Sequence, residues 1–255
     1  MIDSPPNVQT HSRKEIWSIF DRIAHRYDLL NQLLSFGQDR VWRNKLALCL
    51  RGKKDLHLLD LATGTGDQLL SICKKGILIQ SGVGMDMSEK MLEIGRKKVA
   101  ERKWEGRIAL QRGDAMDIPL ENNRFDAVTI SFGIRNVVNV VHALKEMYRV
   151  LKPGGRVLVL ECSLPPNRFV RSVYLFYFRN ILPRMGSLIS GDSYAYRYLN
   201  ETVETFPCGQ DFCDMMLSAG LVDARATPLT FGIATIYEGT KPGFEDQPSE
   251  ASPIA

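Results

Sequence analysis

From Leu56 onward the sequence alternates short apolar runs with helical periods, and that alternation dictates a parallel β-sheet laced by helices. The runs at about 56–61, 82–86, 107–111, 125–131 and 156–162 read as strands, with helices near 67–75, 88–103 and 139–150 between them. Parallel neighbours need crossover connections, so the carboxyl ends of the strands deliver their loops to one edge of the sheet. Lys152-Pro153-Gly154-Gly155 is predicted as a turn into the fifth strand. Residues 166–205 break the rhythm with aromatic-rich helices. A helix near 209–219, ended by Gly220, then leads to two last strands at about 221–227 and 230–238.

Ahead of the sheet, residues 12–50 predict a helical cap. Ser12 and Glu15 have the spacing of a capping box. Ile16, Phe20, Ile23, Tyr27, Leu30 and Leu34 follow in steps of four and three, which puts them on one face of a helix. A second amphipathic helix is expected from about Asp39 to Leu50. Residues 1–11 read as a flexible lead and 242–255, with Pro242, Pro248 and Pro253, as a disordered tail, which leaves one domain over 12–241.

Charge and cysteine usage narrow the function classes. A net charge of +4 is small for 255 residues, and no run of five like charges marks a nucleic-acid tail. The five cysteines contain no C-x-x-C and the four histidines stand far apart, so no metal site is expected and the thiols should be reduced. The first residues lack a secretory pattern, and no run approaches the ~18 apolar residues of a membrane span. The expectation is a soluble, cytoplasmic protein.

The chemistry concentrates at three strand ends. Leu58 to Asp67 runs an apolar strand into Gly64-Thr65-Gly66 and then a helix, a turn that lets a ligand approach the backbone. A dinucleotide site would place a third glycine where Leu69 stands. The loop is flanked instead by Asp60 and Asp67, which suit a sulfonium and an amino group better than a pyrophosphate. Asp86 ends the second strand, where an acid can accept both hydroxyls of a ribose. Ser88 beside it is a candidate helix cap. Asp114 follows the third strand, placed to accept from an adenine amino group, with the Ala115 N–H as a donor to the ring.

This combination resembles the class I AdoMet-dependent methyltransferases, whose Rossmann-like sheet has seven strands and ends in an antiparallel hairpin. A narrower resemblance lies outside the loop, in Ile19-Phe20-Asp21-Arg22-Ile23-Ala24-His25-Arg26-Tyr27-Asp28, in Ser131-Phe132-Gly133-Ile134-Arg135-Asn136 and in Gly191-Asp192-Ser193-Tyr194-Ala195-Tyr196-Arg197-Tyr198-Leu199. On these segments the chain is similar to the ubiquinone/menaquinone biosynthesis C-methyltransferases over about residues 14–241. The resemblance implies S-adenosyl-L-methionine as methyl donor, no metal, and cofactor contacts at Thr65, Asp86, Asp114, Ala115 and Ser131, beside Asp60, Gly64 and Gly66 of the loop. It implies a prenylated quinol as substrate, demethylmenaquinol ahead of the methoxy-polyprenyl-benzoquinol. Peripheral contact with the inner membrane face and self-association are both compatible with it, and a nucleic-acid partner is not.

A quinol carbon becomes nucleophilic when a neighbouring hydroxyl loses its proton. Arg135 is the candidate for stabilising that oxyanion and Asn136 for holding the oxygen or a water, since both follow the fourth strand. Tyr27 and Asp28 are expected to cover the same pocket, with Asp28 or a water held by Tyr27 as the base. Residues 169–182, which contain five aromatics along with Arg171 and Arg179, are expected to form a lid over the prenyl tail that rests on anionic lipid. A nicotinamide oxidoreductase would need the missing glycine. An amino-directed nucleic-acid methyltransferase would show Asn/Asp-Pro-Pro-Phe/Tyr where Ser131-Phe132-Gly133 stands.

Overall fold

A computed structural model describes residues 21–22, 24–185 and 193–243, the last stretch by its backbone alone over 193–197. The lead 1–11, the Ser12/Glu15 capping box, Ile16, Phe20 and Ile23 of the first helix, and the tail beyond Gly243 lie outside the described residues.

Seven strands form one sheet: β1 (Leu56–Leu61), β2 (Ile79–Asp86), β3 (Ile108–Arg112), β4 (Phe125–Ser131), β5 (Leu151–Cys162), β6 (Val222–Leu229) and β7 (Ala234–Thr240). Their order is β3-β2-β1-β4-β5-β7-β6, with β7 antiparallel between β5 and β6. The order reverses direction between β1 and β4, and the crevice beyond their carboxyl ends is where such sheets take ligands.

The helices follow from caps and apolar faces. Tyr27–Leu34 (α1) and Gln38–Leu48 (α2) precede the sheet, and Asp67–Lys74 (α3), Glu89–Glu101 (α4) and Val140–Val150 (α5) are its crossovers. Ser88 accepts from Met91 N–H at 3.3 Å to start α4, and Asn139 accepts from His142 N–H at 3.0 Å to start α5. Alternate strand residues feed two cores. Leu59, Leu61, Val128 and Ile130 pack with α5 on one face, while Leu58, Ala127 and Leu158 pack with α2, α3 and α4 on the other. Arg168–Phe176 (α6), running on through a π-helical turn at Tyr177–Ile181, and Ser193–Thr205 (α7) stand off the sheet around a third cluster that includes Leu30, Tyr174 and Phe178. Gln210–Ser218 (α8) returns the chain to the sheet edge.

Three local expectations are corrected. The first helix does not run unbroken to Leu34, because a 3-10 turn at Ala24–Arg26 precedes α1. The second strand starts at Ile79 rather than residue 82, since Leu56 already pairs with Ile79 before a register shift. Lys152-Pro153-Gly154-Gly155 is not a turn ahead of the strand but a bulge inside β5: Leu151 pairs with Phe125 and Arg156 with Ala127. Gly154 at φ 76° bends it, and a Cβ on Gly155 would meet the Lys152 carbonyl at 2.7 Å.

Candidate active site

At the switch point Ala62 follows β1 at φ 46° and Phe132 follows β4 at φ 59°, a left-handed conformation uncommon for residues other than glycine. The two loops touch so closely that a Cβ on Gly133 would collide with that of Ala62. Two cavities meet at this point, and Tyr27 and Phe132 line both.

The first cavity, of about 110 Å³, opens beyond β1, β2 and β4 and is lined by Gly64, Asp86, Asp114, Ala115, Ser131 and Asn136 among others. Asp86 accepts from the N–H of Gly64 at 2.8 Å and of Ser88 at 2.9 Å, so the loop after β1 hangs on the acid that ends β2. Burial pushes its pKa up, against those same N–H groups, which favour the ionised form. Asp114 accepts from Met116 N–H at 2.9 Å, and Ser131 donates to Gln68 at 3.0 Å. Two acids fixed by backbone donors beside an approachable glycine backbone fit the hydroxyl and amino donors of an adenosyl group. Among the described residues no cluster of His, Cys, Asp or Glu could hold a metal ion.

Three of the loop residues do not line this cavity. Asp60 is buried under the loop, accepting from Thr63 Oγ1 and Thr129 Oγ1, each at 2.6 Å. Burial raises its pKa to about 6. Thr65 faces away as well: its hydroxyl donates to Asp28 at 2.7 Å and accepts from Lys98 at 2.8 Å. Gly66, at φ 80°, serves as the turn into α3.

The second cavity, of about 310 Å³, is predominantly apolar and lies between α1, α2, α6 and α7. Leu30, Leu34, Trp42, Tyr174, Phe178 and Ile233 supply its walls. Trp42 is fixed by its indole N–H donating to Thr230 at 2.8 Å, and its ring lies 6.0 Å from that of Phe132. The charged wall is Arg135. Its Nη1 donates to Glu161 at 2.5 Å and to the Phe132 carbonyl at 2.8 Å, and the carboxylate beneath it is 0% exposed. Burial works against the charge on Arg135, but the Glu161 carboxylate outweighs it and holds the guanidinium firmly protonated. Its Nε–H is buried without a hydrogen-bond partner among the described residues.

The structure thus brings Arg135 and Asn136 together on one 3-10 turn, Ile134–Asn136, but gives them to different cavities. Asn136 accepts from the Tyr198 hydroxyl at 3.1 Å, which ties α7 to that turn. Tyr27 stands at the junction, and its pKa is raised by burial, against the opposing pull of Arg43. Asp28 lines neither cavity; it is held by Thr65 and by Lys98 at 2.5 Å. Sequence reasoning passed over Asp39, Trp42, Arg43, Phe132 and Glu161. Glu161 alone carried a signal, as a single acid at the end of the apolar run Val157 to Leu160.

Residues 8–241 match the ubiE/COQ5 methyltransferase family. The chain belongs to that family. It is an enzyme, a methyltransferase whose methyl donor is S-adenosyl-L-methionine. Among similar proteins, the ubiquinone/menaquinone biosynthesis C-methyltransferase UbiE of Geobacter sulfurreducens is 46% identical over 232 residues, 91% of this chain and 90% of that one. The demethylmenaquinone methyltransferase of Thermus thermophilus is 46% identical over 224 residues, 88% of this chain and 100% of that one. In fold, the chain is similar to a SAM-dependent methyltransferase from Thermotoga maritima, at a TM-score of 0.62 and 21% identity over 89% of this chain and 99% of the other. The [4+2]-cyclase SpnF is also similar, at a TM-score of 0.59 and 17% identity over 91% of this chain and 98% of that one, so the class I fold does not by itself choose the reaction.

Proposed function

We propose that this methyltransferase methylates a ring carbon of a prenylated quinol, demethylmenaquinol in the first place, in menaquinone biosynthesis. The corresponding benzoquinol of ubiquinone biosynthesis is the second reading, since similar proteins carry both names. The observation that carries the proposal is the Arg135 guanidinium on the wall of an apolar cavity that meets the polar one at Tyr27 and Phe132. An aromatic diol with an isoprenoid tail has the matching parts: an oxygen for that cation to favour and a hydrocarbon to fill the remainder.

The cofactor residues follow the same logic. Asp86 is assigned to the ribose hydroxyls, Asp114 and Ala115 to the adenine edge, and Gly64 to close backbone approach, with Ser131 and Asn136 closing the far wall. When bound, the donor supplies an electrophilic methyl on a positively charged sulfur. The protein's share is placement and the handling of one proton. Tyr27 and Phe132 set where the two ligands touch, which orients the ring carbon towards the methyl. Arg135 stabilises negative charge on the ring oxygen, and the apolar walls exclude water that would solvate the reactants.

The tail needs a way in. Phe36, Phe169 and Phe231 are 73%, 78% and 80% exposed, and Val173 and Phe176 continue the outer stripe of α6. Residues 36, 177 and 230 beside them line the cavity, so the exposed apolar face is continuous with its mouth. Among the described residues no helix is long and apolar enough to cross a membrane. We assign this face to peripheral contact with the bilayer that holds the substrate. Mass spectrometry of the quinone pool in a strain lacking the protein tests the substrate: demethylated naphthoquinone should accumulate and disappear on restoration. An altered benzoquinone pool in its place selects the second reading, and an unchanged pool overturns both.

A further inference from the structure

The proposed reaction requires something to take the proton of the quinol hydroxyl, and the residues named from sequence for that task are poorly placed. Asp28 is bound to Thr65 and Lys98 and lines neither cavity. Burial raises the Tyr27 hydroxyl further from the ionised form that could accept a proton.

The walls of the apolar cavity hold several ionisable groups. Arg135 is a permanent cation. Tyr174 and Tyr177 are both raised by burial, and the Cys162 thiol is pushed up to about 12. Tyr198 already donates to Asn136. Among the described residues that line this cavity, one carboxylate remains, Asp39 in the first turn of α2. It is 8% exposed, and Ser35 fixes it from both sides: the hydroxyl donates to Oδ1 at 3.0 Å and accepts from the Asp39 N–H at 3.2 Å. The next turn of the same helix carries Trp42 and Arg43, which pack on Phe132, the guanidinium 5.2 Å from the ring centre. Asp39 therefore stands one helical turn from Trp42 and Arg43, which pack on Phe132 at the junction of the two cavities.

Resting on the quinol reading above, we infer that Asp39 is the catalytic base, accepting the proton from the ring hydroxyl next to the carbon that is methylated. The O–H bond breaks towards the carboxylate, and its electron pair enters the ring. The ring carbon forms the C–C bond as the C–S bond breaks, and sulfur keeps that pair. The carbon then loses its own hydrogen as a proton, which restores the aromatic ring, and Asp39 returns its proton to the oxygen. One proton leaves per methyl transferred, and no oxidant or reductant is consumed. Asp39 and Arg135 divide the work: one removes the proton, and the other favours the charge that is left.

The test is single-turnover methyl transfer to reduced demethylmenaquinol by the full chain, with AdoMet affinity and thermal midpoint read on the same preparations. Asp39→Asn keeps the shape and cannot accept a proton; its rate should fall about 10²–10⁴-fold while AdoMet affinity holds. Asp39→His restores a base of higher pKa, so the acid limb of its pH–rate profile should move up towards ~6.5. A role limited to capping α2 would lower the thermal midpoint and leave the acid limb in place. Transfer by Asp39→Asn within about fivefold of wild type, or an unmoved limb in an active Asp39→His, overturns the assignment. Should Asp39→Asn fail to fold, the Asp39→His profile decides alone. A wild-type protein that binds AdoMet and transfers nothing to the quinol defeats the substrate reading, and this assignment with it.

Discussion

The two cavities that meet at Tyr27 and Phe132 are built in opposite ways. The polar one is made by strand ends: Asp86 at the end of β2, Asp114 after β3, Ser131 at the end of β4, each positioned by the hydrogen-bonded sheet behind it. The apolar one is made largely by helices that close on one another through Leu30, Tyr174, Phe178 and Leu182. A sheet edge can hold a common ligand at fixed distances, whereas a helical surround can be reshaped without disturbing the sheet. On the proposed reading, the difference gives cofactor binding to one and substrate choice to the other, with Tyr27 and Phe132 lining both and the ion pair of Arg135 and Glu161 on the apolar side.

That ion pair gives the largest expected effect. Arg135→Leu should cut single-turnover methyl transfer about 10²–10³-fold, because a charge that matters most in the transition state is removed. AdoMet affinity should stay within a few-fold, since Asp86 and Asp114 are untouched. The variant should also lose about 3–5 kcal/mol of stability, as Glu161 is left buried and unpaired. Adding Glu161→Leu separates the two consequences: stability should return and the rate should not. Recovery of the rate in the double variant would show that Arg135 serves only to hold the turn. Raising the pH should partly rescue Arg135→Leu, because solvent hydroxide then helps form the oxyanion.

Asp60 probes the ground beneath the polar cavity. Its carboxyl is raised from 3.8 to about 6, so between those values the folded protein binds more protons than the unfolded chain. Stability contributed by the protonated form is present in full below about 4 and is lost as pH rises through about 6. A shift of that size corresponds to about 3 kcal/mol. Asp60→Asn should remove this dependence and raise the thermal midpoint at neutral pH, with Thr63 and Thr129 still bonded to the amide oxygen or nitrogen. Chemical denaturation of both proteins from pH 4 to 7 checks the slope. A wild-type curve parallel to that of the variant would mean that Asp60 is ionised throughout. If AdoMet affinity also falls tenfold or more in Asp60→Asn, the acid supports the cofactor from below the loop as well.

Asp86 tests the opposite side of the comparison. Asp86→Asn keeps one acceptor for the N–H groups of Gly64 and Ser88 but halves what can meet a diol. AdoMet affinity by calorimetry should weaken by about 1.5–3 kcal/mol. At saturating AdoMet the transfer rate should remain within several-fold of wild type. A large fall in that rate, with unchanged affinity, would place Asp86 in the chemistry and erase the division between the cavities.

The same division explains what could be read from the sequence. Strand ends recur at regular intervals, so Gly64, Asp86 and Asp114 are legible as candidates by position, Ser131 only through the family resemblance, and the last two strands as short runs after α8. The helical cavity joins residues such as Trp42 and Thr230 that stand 188 apart, and no period links them. Asp39 has the position of an ordinary first-turn acid, which a helix N-terminus favours without any further role. The Lys152-Pro153-Gly154-Gly155 bulge shows the converse limit. Its residues announce a bend, but only the register against Phe125 and Ala127 shows that the strand continues through it.

The smallest expected effect belongs to Asp28, and it separates this acid of the helical cap from Asp39. Asp28 holds Lys98 and Thr65, and Lys98 also holds Asp67 at 2.7 Å, so this polar knot fastens α1 to the loop after β1 and to α4. Its charged side chains are between 18% and 38% exposed, where a pair contributes about 1 kcal/mol or less. Asp28→Asn should therefore cost about that much stability and leave single-turnover transfer within tenfold of wild type. Its effect should fall on binding. Tyr27, the neighbouring residue, lies close enough that a Cβ on Gly64 would meet its ring at 3.9 Å, so a loosened α1 weakens the wall that Tyr27 gives the polar cavity. A few-fold rise in the AdoMet dissociation constant with an unmoved acid limb is the expected pattern. A fall of 10² or more in the transfer rate would return the base to Asp28. It would also require α1 to turn on substrate binding, since the carboxylate faces Lys98 and Thr65 here. Measured beside Asp39→Asn on one quinol preparation, the two rates should differ by at least tenfold, with Asp39→Asn the slower.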